Sequence, residues 1–239
     1  MRYQTVVKMH TVNRMQTFGW PLLIMLMALA VVLAIGAAVH QVAAPEDIAA
    51  MNEGMAFNGA IFAVLGPIIM LGFLSMGQLF PLALGLGITR REYVLGTALV
   101  YLGYALGFTL IVVIGKAIEV ATGGFGLDVR FFNVEYVGTG PLWQTAIQTF
   151  LIAFMAMLVG SAFVAGYFRW RQTFVWTFVI IVAVIAATIG IMAVLSPAVA
   201  NWFFSLFSLD WWVYMAIMVA IAGVAAAAWA LLVRRTQLR

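Results

Sequence analysis

The stretch that decides the fold reads Leu84-Gly85-Leu86-Gly87-Ile88-Thr89-Arg90-Arg91-Glu92-Tyr93, a short charged break between two long apolar runs. Around it, 66% of the 239 residues are hydrophobic and only 8% are charged. Water-soluble domains are about half apolar and about a quarter charged, so this chain has too little charge to cover a surface in water. Apolar runs of about twenty residues recur, which is enough to cross a bilayer as helices. The composition therefore predicts an all-α integral membrane protein.

Six apolar segments are long enough to span the bilayer. We predict transmembrane helices over residues 18–39, 57–82, 93–115, 142–168, 174–195 and 211–233. The preceding segment, 1–17, mixes basic and apolar residues and is predicted to form a helix at the membrane surface rather than a frayed tail. The first apolar run is too long for the core of a signal peptide, so we expect it to be retained. Residues 234–239 form a basic tail.

Charged residues divide unevenly between the two ends of the predicted spans. One side holds the N-terminal segment, the break at 84–93, the turn at 169–172 and the C-terminal tail, with a summed charge of +9. The other side carries −5, and the two together give the net charge of +4. Because an excess of Lys and Arg marks the cytoplasmic side, both termini are expected in the cytoplasm.

Prolines and glycines predict how two of the spans are shaped. Pro67 and Pro81 fall within the second span, where a proline removes a backbone donor and usually bends the helix. Gly103 and Gly107 in the third span form a small-xxx-small pair that can bring two membrane helices close together.

The residues for catalysis are missing from the predicted spans. The predicted spans contain no ionisable residue, and the chain has no cysteine. An intramembrane enzyme needs a buried base, nucleophile or metal ligand. His10 and His40 are expected at opposite membrane surfaces, so they cannot form one metal site. Lys116 and Glu119, near a span end, suit either an outer gate or a locally paired couple, and we favour the couple. We therefore predict no enzyme activity, no metal site and no nucleotide-binding motif.

A few polar residues within the spans suit a substrate path. Gln144 and Gln148 lie one helical turn apart, and a polarizable methionine beside them suits a tolerant apolar cavity. For any single residue, hydrogen bonding between helices is the commoner role. The predicted path residues are Ser75, Gln78, Gln144, Gln148 and Met155.

Residues 85–93, followed by Leu95-Gly96-Thr97, resemble permease subunits of type-2 ATP-binding-cassette (ABC) exporters. In that family a short motif commonly lies between the second and third spans. It consists of a large apolar residue, Gly, Ile or Val, Ser or Thr, Arg, Arg or Lys, and then an acidic or aromatic residue. The resemblance implies a second permease copy and a cytosolic ATPase subunit that binds ATP and Mg, with no cofactor in this chain and no nucleic-acid partner. It also implies an N-terminal interface helix and a coupling helix that contact the ATPase. The residues assigned to this contact are Thr89, Arg90, Arg91, Glu92, Arg2 and Lys8.

The expected function is therefore that of a permease subunit in the cell membrane, most simply a bacterial plasma membrane. The resemblance implies export, and the absence of charge within the spans favours a hydrophobic or amphipathic cargo such as a drug, an antimicrobial peptide or a lipid. The alternative is a substrate-binding membrane module or a secondary carrier without an exporter-type ATPase. A carrier normally has ionisable residues within the membrane.

Overall fold

The structure, a computed structural model, describes residues 2–205 and 209–235, with side chains except at 2, 45, 200, 203, 204 and 235. In these ranges the regular secondary structure is helical throughout, which confirms the all-α prediction for this part of the chain. The α-helices are α1 (Arg2–Thr11), α2 (Trp20–Val42), α3 (Pro45–Met55), α4 (Leu65–Leu74), α5 (Phe80–Gly85), α6 (Arg90–Ala121), α7 (Leu142–Leu195), α8 (Pro197–Ser205) and α9 (Trp211–Arg235). Of the predicted tail, 236–239 lie outside the described residues.

Five helical stretches in the described part are long and apolar enough to cross a membrane. They are Met15–Val42, Glu46–Gly85, Arg90–Ala121, Leu142–Leu195 and Trp211–Arg234. Large apolar side chains face outward along all of them, as bilayer-embedded helices require. The chain is thus a multi-pass helical membrane protein.

The long helix α7 folds back on itself. Arg171 has φ 54° and ψ −140°, outside the helical region. The ring of Phe163 lies 5.3 Å from the rings of both Phe174 and Phe178, residues that a straight helix would place more than about 15 Å away. The predicted fourth and fifth segments therefore correspond to the two arms of a helical hairpin, and the break between them falls in the basic turn.

The predicted second segment is a succession of short helices. It begins with a 3₁₀-helix, Ala60–Val64, and a π-helix, Ser75–Leu79, lies between α4 and α5. Pro67 and Pro81 lie just after the 3₁₀-helix and the π-helix, and the backbone stays helical at both junctions. Each proline, which lacks a backbone N–H, therefore falls where the hydrogen-bond pattern of a continuous helical run changes. The loop that the sequence predicts before this segment contains a helix, α3.

Helices α4 and α7 meet through glycines. A Cβ atom added to Gly72 or Gly160 would lie 2.3 or 2.5 Å from a carbonyl oxygen of the facing helix, so only glycine permits this approach. The predicted pair is different: a Cβ added to Gly103 or Gly107 would have no neighbour within 4 Å. Close helix packing within the described chain therefore uses other glycines than the sequence pattern indicated.

Candidate functional site

A small cavity, here called the chamber, lies where the N-terminal segment meets α4, α6 and α7. Its volume is about 70 Å³. Leu71 and Met157 contribute apolar surface, and the described residues that line it include no Lys, Arg, Asp or Glu. Its polar lining consists of His10, Asn13, Gln16, Thr17, Ser75, Gln78, Tyr101 and Tyr104.

Two π-helices form part of the chamber wall. Met15–Gly19 provides Gln16 and Thr17, and Ser75–Leu79 provides Ser75 and Gln78. A π-helical turn holds one more residue than an α-helical turn, and such turns are rare and frequent at functional sites. Their meeting at one cavity makes the chamber the leading candidate site.

A buried hydrogen-bond network ties α1 to the chamber wall. The Nδ1 atom of His10 donates to the carbonyl oxygen of Val6 at 2.9 Å, and its Nε2 atom lies 3.1 Å from the Ser75 hydroxyl oxygen. Because a carbonyl oxygen only accepts, a neutral His10 carries its proton on Nδ1 and accepts from Ser75. Ser75 is also 2.8 Å from the hydroxyl of Tyr93. Burial lowers the pKa of His10 below its usual value, which favours the neutral ring.

Helix α1 rests one face on α6 and presents the other outward. Val6 is fully buried, and a Cβ atom added to Gly96 would lie 2.7 Å from the Cβ of Val6. Lys8 is exposed. Arg2 begins α1, and its side chain lies outside the described part. The predicted N-terminal helix is therefore present and docked, and its exposed face includes one of the basic residues assigned to ATPase contact.

An apolar groove continues from the chamber between α2 and α4. Its volume is about 370 Å³. The groove and the chamber share Gln16, Leu71 and Leu74, so they adjoin one another. Trp20 and Met70 line the groove with half-exposed side chains, so the groove opens to the outside of the helix bundle.

Residues 85–93 form a tight turn and the first turn of α6. The Thr89 hydroxyl accepts from the backbone N–H of Glu92 at 3.3 Å, and the Glu92 carboxylate accepts from the backbone N–H of Thr89 at 2.9 Å. This reciprocal capping box satisfies two backbone donors at the helix start. Gly87 has φ +72°, a conformation that glycine adopts without steric cost. No separate coupling helix lies between α5 and α6 in this described region.

Arg90 and Arg91 differ in their surroundings. The Nη1 atom of Arg90 donates to the carbonyl oxygens of Val233 and Arg234, both at 2.8 Å. These are among the last carbonyls of α9, which lack helical partners and carry the negative end of the helix dipole. Arg91 is exposed. Arg90 thus fastens the turn to α9, and Arg91 is the arginine of the pair that a soluble partner can reach.

Lys116 is buried at the opposite end of α6. Only 2% of the residue is exposed. Its Nζ atom donates to the carbonyl oxygens of Gly138 at 2.6 Å and Gly140 at 2.7 Å, and to the hydroxyl of Thr145 at 2.8 Å. These contacts use all three donors of the ammonium group.

Glu119 is held in the same way by backbone donors. It is also 2% exposed, and its carboxylate accepts from the backbone N–H groups of residues 131, 132 and 133 at 3.0, 2.7 and 3.1 Å. Lys116 and Glu119 therefore anchor opposite parts of the loop 122–141. Their hydrogen-bond partners are groups of the loop and Thr145, not the other member of the predicted couple, so both residues stabilise the fold. No residue pattern in the loop could have predicted these backbone partners.

The predicted path residues do not come together. Ser75 and Gln78 line the chamber. Gln148 accepts a hydrogen bond from the indole N–H of Trp211 at 3.1 Å, and along α7 it lies about 14 Å from Met157 at the chamber. The path residues that lie elsewhere on α7 are Gln144, Gln148 and Met155.

Within the described ranges, no group of three or more His, Asp or Glu side chains is placed to hold a metal ion. A comparison of the chain with protein-family models, with curated proteins and with solved structures finds no match in any of the three. The features that bear on function are therefore the chamber, the groove and the charged turn at 85–93.

Proposed function

We propose that the protein is the membrane-spanning permease subunit of an ABC exporter and works with separate ATPase subunits that bind ATP and Mg. In this proposal the two arms of α7 each cross the membrane, which gives six spans with both termini in the cytoplasm. The proposed location of the permease is a bacterial plasma membrane, and the proposed cargo is hydrophobic or amphipathic. The support comes from the resemblance at residues 85–93 and from the uneven charge on the two sides.

The observation that carries this proposal is the bracing of the charged turn. The capping box of Thr89 and Glu92 fixes the start of α6, and Arg90 fixes the same point to the end of α9. Helix α5 enters the turn from the other side. A push at the exposed Arg91 would therefore move the ends of three helices together, which is what coupling to a motor subunit requires.

The second arm of α7 supports the proposed second copy. Its side chains from Arg171 to Leu195 are almost all exposed, including Ile180 and Ile185 at 58% and 52%. An apolar helix with so few neighbours in its own chain has room for lipid on one face and another subunit on the other. The second permease copy is proposed to pack there.

A secondary carrier is the alternative function, and His10 favours it. The predicted spans contain no ionisable residue, but the fold brings this imidazole into the chamber beside Ser75. Carriers couple transport to protons through ionisable groups of this kind. In that alternative, protonation of His10 would break its acceptor contact with Ser75 and alter the chamber wall.

Co-purification with Arg91→Glu tests the exporter proposal. We expect a cytosolic ATPase to purify in fixed proportion with the unaltered chain and to be lost with Arg91→Glu. Arg169→Glu is the matched control, because Arg169 is another exposed arginine on the predicted cytoplasmic side.

Two outcomes would refute the exporter proposal. One is the absence of any bound ATPase in the unaltered chain, and the other is normal ATPase binding and transport-coupled hydrolysis in Arg91→Glu. Transport that needs no ATPase, follows a proton gradient and fails in His10→Gln would establish the carrier instead.

A further inference from the structure

We infer that the chamber and the groove together bind one amphiphile, an uncharged molecule with a small hydroxyl-bearing head and a single alkyl chain. Because they share Gln16, Leu71 and Leu74, one ligand can place its head in the chamber and its chain in the groove. As a cargo site this rests on the proposed transport function. As a binding site it rests on the geometry of this chain alone.

The chamber fits a small head group that forms hydrogen bonds. Its volume of about 70 Å³ corresponds to roughly two water molecules. Tyr104 lines it and is only 8% exposed, and its hydroxyl forms no hydrogen bond with the residues that the structure describes. A tyrosine hydroxyl with no protein partner can donate to or accept from a ligand. The Tyr104 ring is held by stacking on Phe18 at 5.9 Å, which fixes the position of its hydroxyl. A ligand hydroxyl in the chamber would form a hydrogen bond with it.

The head is uncharged because the chamber offers no counter-charge. The described lining residues include no Lys, Arg, Asp or Glu. The imidazole of His10 is already engaged on both nitrogens, by Val6 and Ser75. A carboxylate, phosphate or ammonium group entering the chamber would lose its hydration without an opposite charge to offset the loss.

The groove fits the chain of the ligand. Its volume of about 370 Å³ is roughly five times that of the chamber, and Trp20, Pro67 and Met70 give it apolar walls. Met70 is 47% exposed, so the groove opens sideways from helices that span the membrane. A ligand dissolved in the bilayer can therefore enter from the lipid with its head leading toward the chamber.

Cysteine protection tests this site, because the chain has no cysteine of its own. Met70→Cys places one thiol in the groove, and Leu110→Cys places one on α6, where the residue is 60% exposed and outside the site. Both full-length variants are purified in detergent and labelled with a maleimide in the presence of monoolein, oleate or octadecane. We expect monoolein to slow labelling of Met70→Cys about tenfold and to leave Leu110→Cys unchanged. Oleate and octadecane should protect weakly.

Two further changes in the Met70→Cys background locate the ligand. Tyr104→Phe should raise the half-protecting monoolein concentration about fivefold, which corresponds to one neutral hydrogen bond. Gly66→Leu should abolish protection, because Gly66 lines the groove and has open space for a larger side chain. Gly190→Leu has similar open space outside the site and should keep it.

Each contrary result overturns a defined part of the inference. Equal protection of both cysteines would show general partitioning into the micelle, and full protection by oleate would refute the uncharged head. Protection that survives Gly66→Leu would place the ligand elsewhere. These measurements use the isolated chain, so their failure would leave the ATPase test with Arg91 unaffected, and failure of that test would leave amphiphile binding unaffected.

Discussion

Replacing Glu119 by Gln should destabilise the protein by detaching the loop 122–141. The carboxylate accepts three backbone N–H groups, two through Oε2 and one through Oε1. Glutamine has nearly the same shape, but one of its two terminal atoms is an amide nitrogen that only donates. At least one buried backbone N–H would then face another donor.

The size of the effect follows from these contacts. A buried donor without a partner costs about 1–3 kcal/mol, and hydrogen bonds to a charged acceptor are about twice as strong as neutral ones. Lys116 would also keep its buried charge while the carboxylate one helical turn away was lost. One unsatisfied buried donor together with two weakened hydrogen bonds indicates about 2–4 kcal/mol. Since about 1 kcal/mol lowers Tm by about 2–4 °C at this chain length, we expect a drop of roughly 10 °C.

Thermal unfolding in detergent, followed by tryptophan fluorescence, measures this drop. Glu53→Gln is the matched control, because Glu53 is an exposed carboxylate on α3 and surface substitutions usually change stability by less than about 0.5 kcal/mol. Equal melting temperatures for the two variants would refute the structural role of Glu119. An outer gate would then be the better explanation of the Lys116 and Glu119 pair.

Three further predictions concern α1 and the turn at 85–93. Arg90→Ala should lower Tm by several degrees, because two charge-assisted bonds to the last carbonyls of α9 are lost, whereas Arg91→Ala should leave Tm unchanged. Gly96→Ala should push α1 off α6 and speed proteolysis of the N-terminal segment, and Gly103→Ala, with open space around it, should not. Burial lowers the pKa of His10, so the unfolded chain binds the additional proton. Its contribution to stability is complete above about pH 6.5 and is lost as the pH falls below that value. Tm should therefore fall between pH 7 and pH 5, and His10→Gln should reduce that fall.

The sequence was informative where one physical property dominates over a long stretch. Apolar length alone located the long helices, and the basic turn located the reversal in α7. The second predicted segment was harder, because Pro67 and Pro81 signal a bend as readily as a new helix start. In the structure the backbone stays helical through both junctions, and what changes beside each proline is the hydrogen-bond pattern, from 3₁₀ or π to α.

The candidate site could be predicted in part. Ser75 and Gln78 were identified as polar residues in an apolar helix, and both line the chamber. His10 was expected at the membrane surface, and its burial in the chamber wall was not predicted. Its partner Ser75 lies 65 residues away, and no local pattern links the two residues. The burial of Glu119 was missed for a related reason: its partners are backbone N–H groups of a loop, and every sequence contains such groups.

The π-helix Ser75–Leu79 has a consequence for how the chamber can change shape. Each residue advances an α-helix by about 100° around its axis. Moving the extra residue of the π-turn to a neighbouring turn would rotate the side chains in between by about that angle, with no helix unwound. Gln78 would then leave the wall that it shares with Ser75. A ligand that binds only when Gln78 faces the chamber would hold the π-turn in place. By the same linkage, displacement of the π-turn would release the ligand.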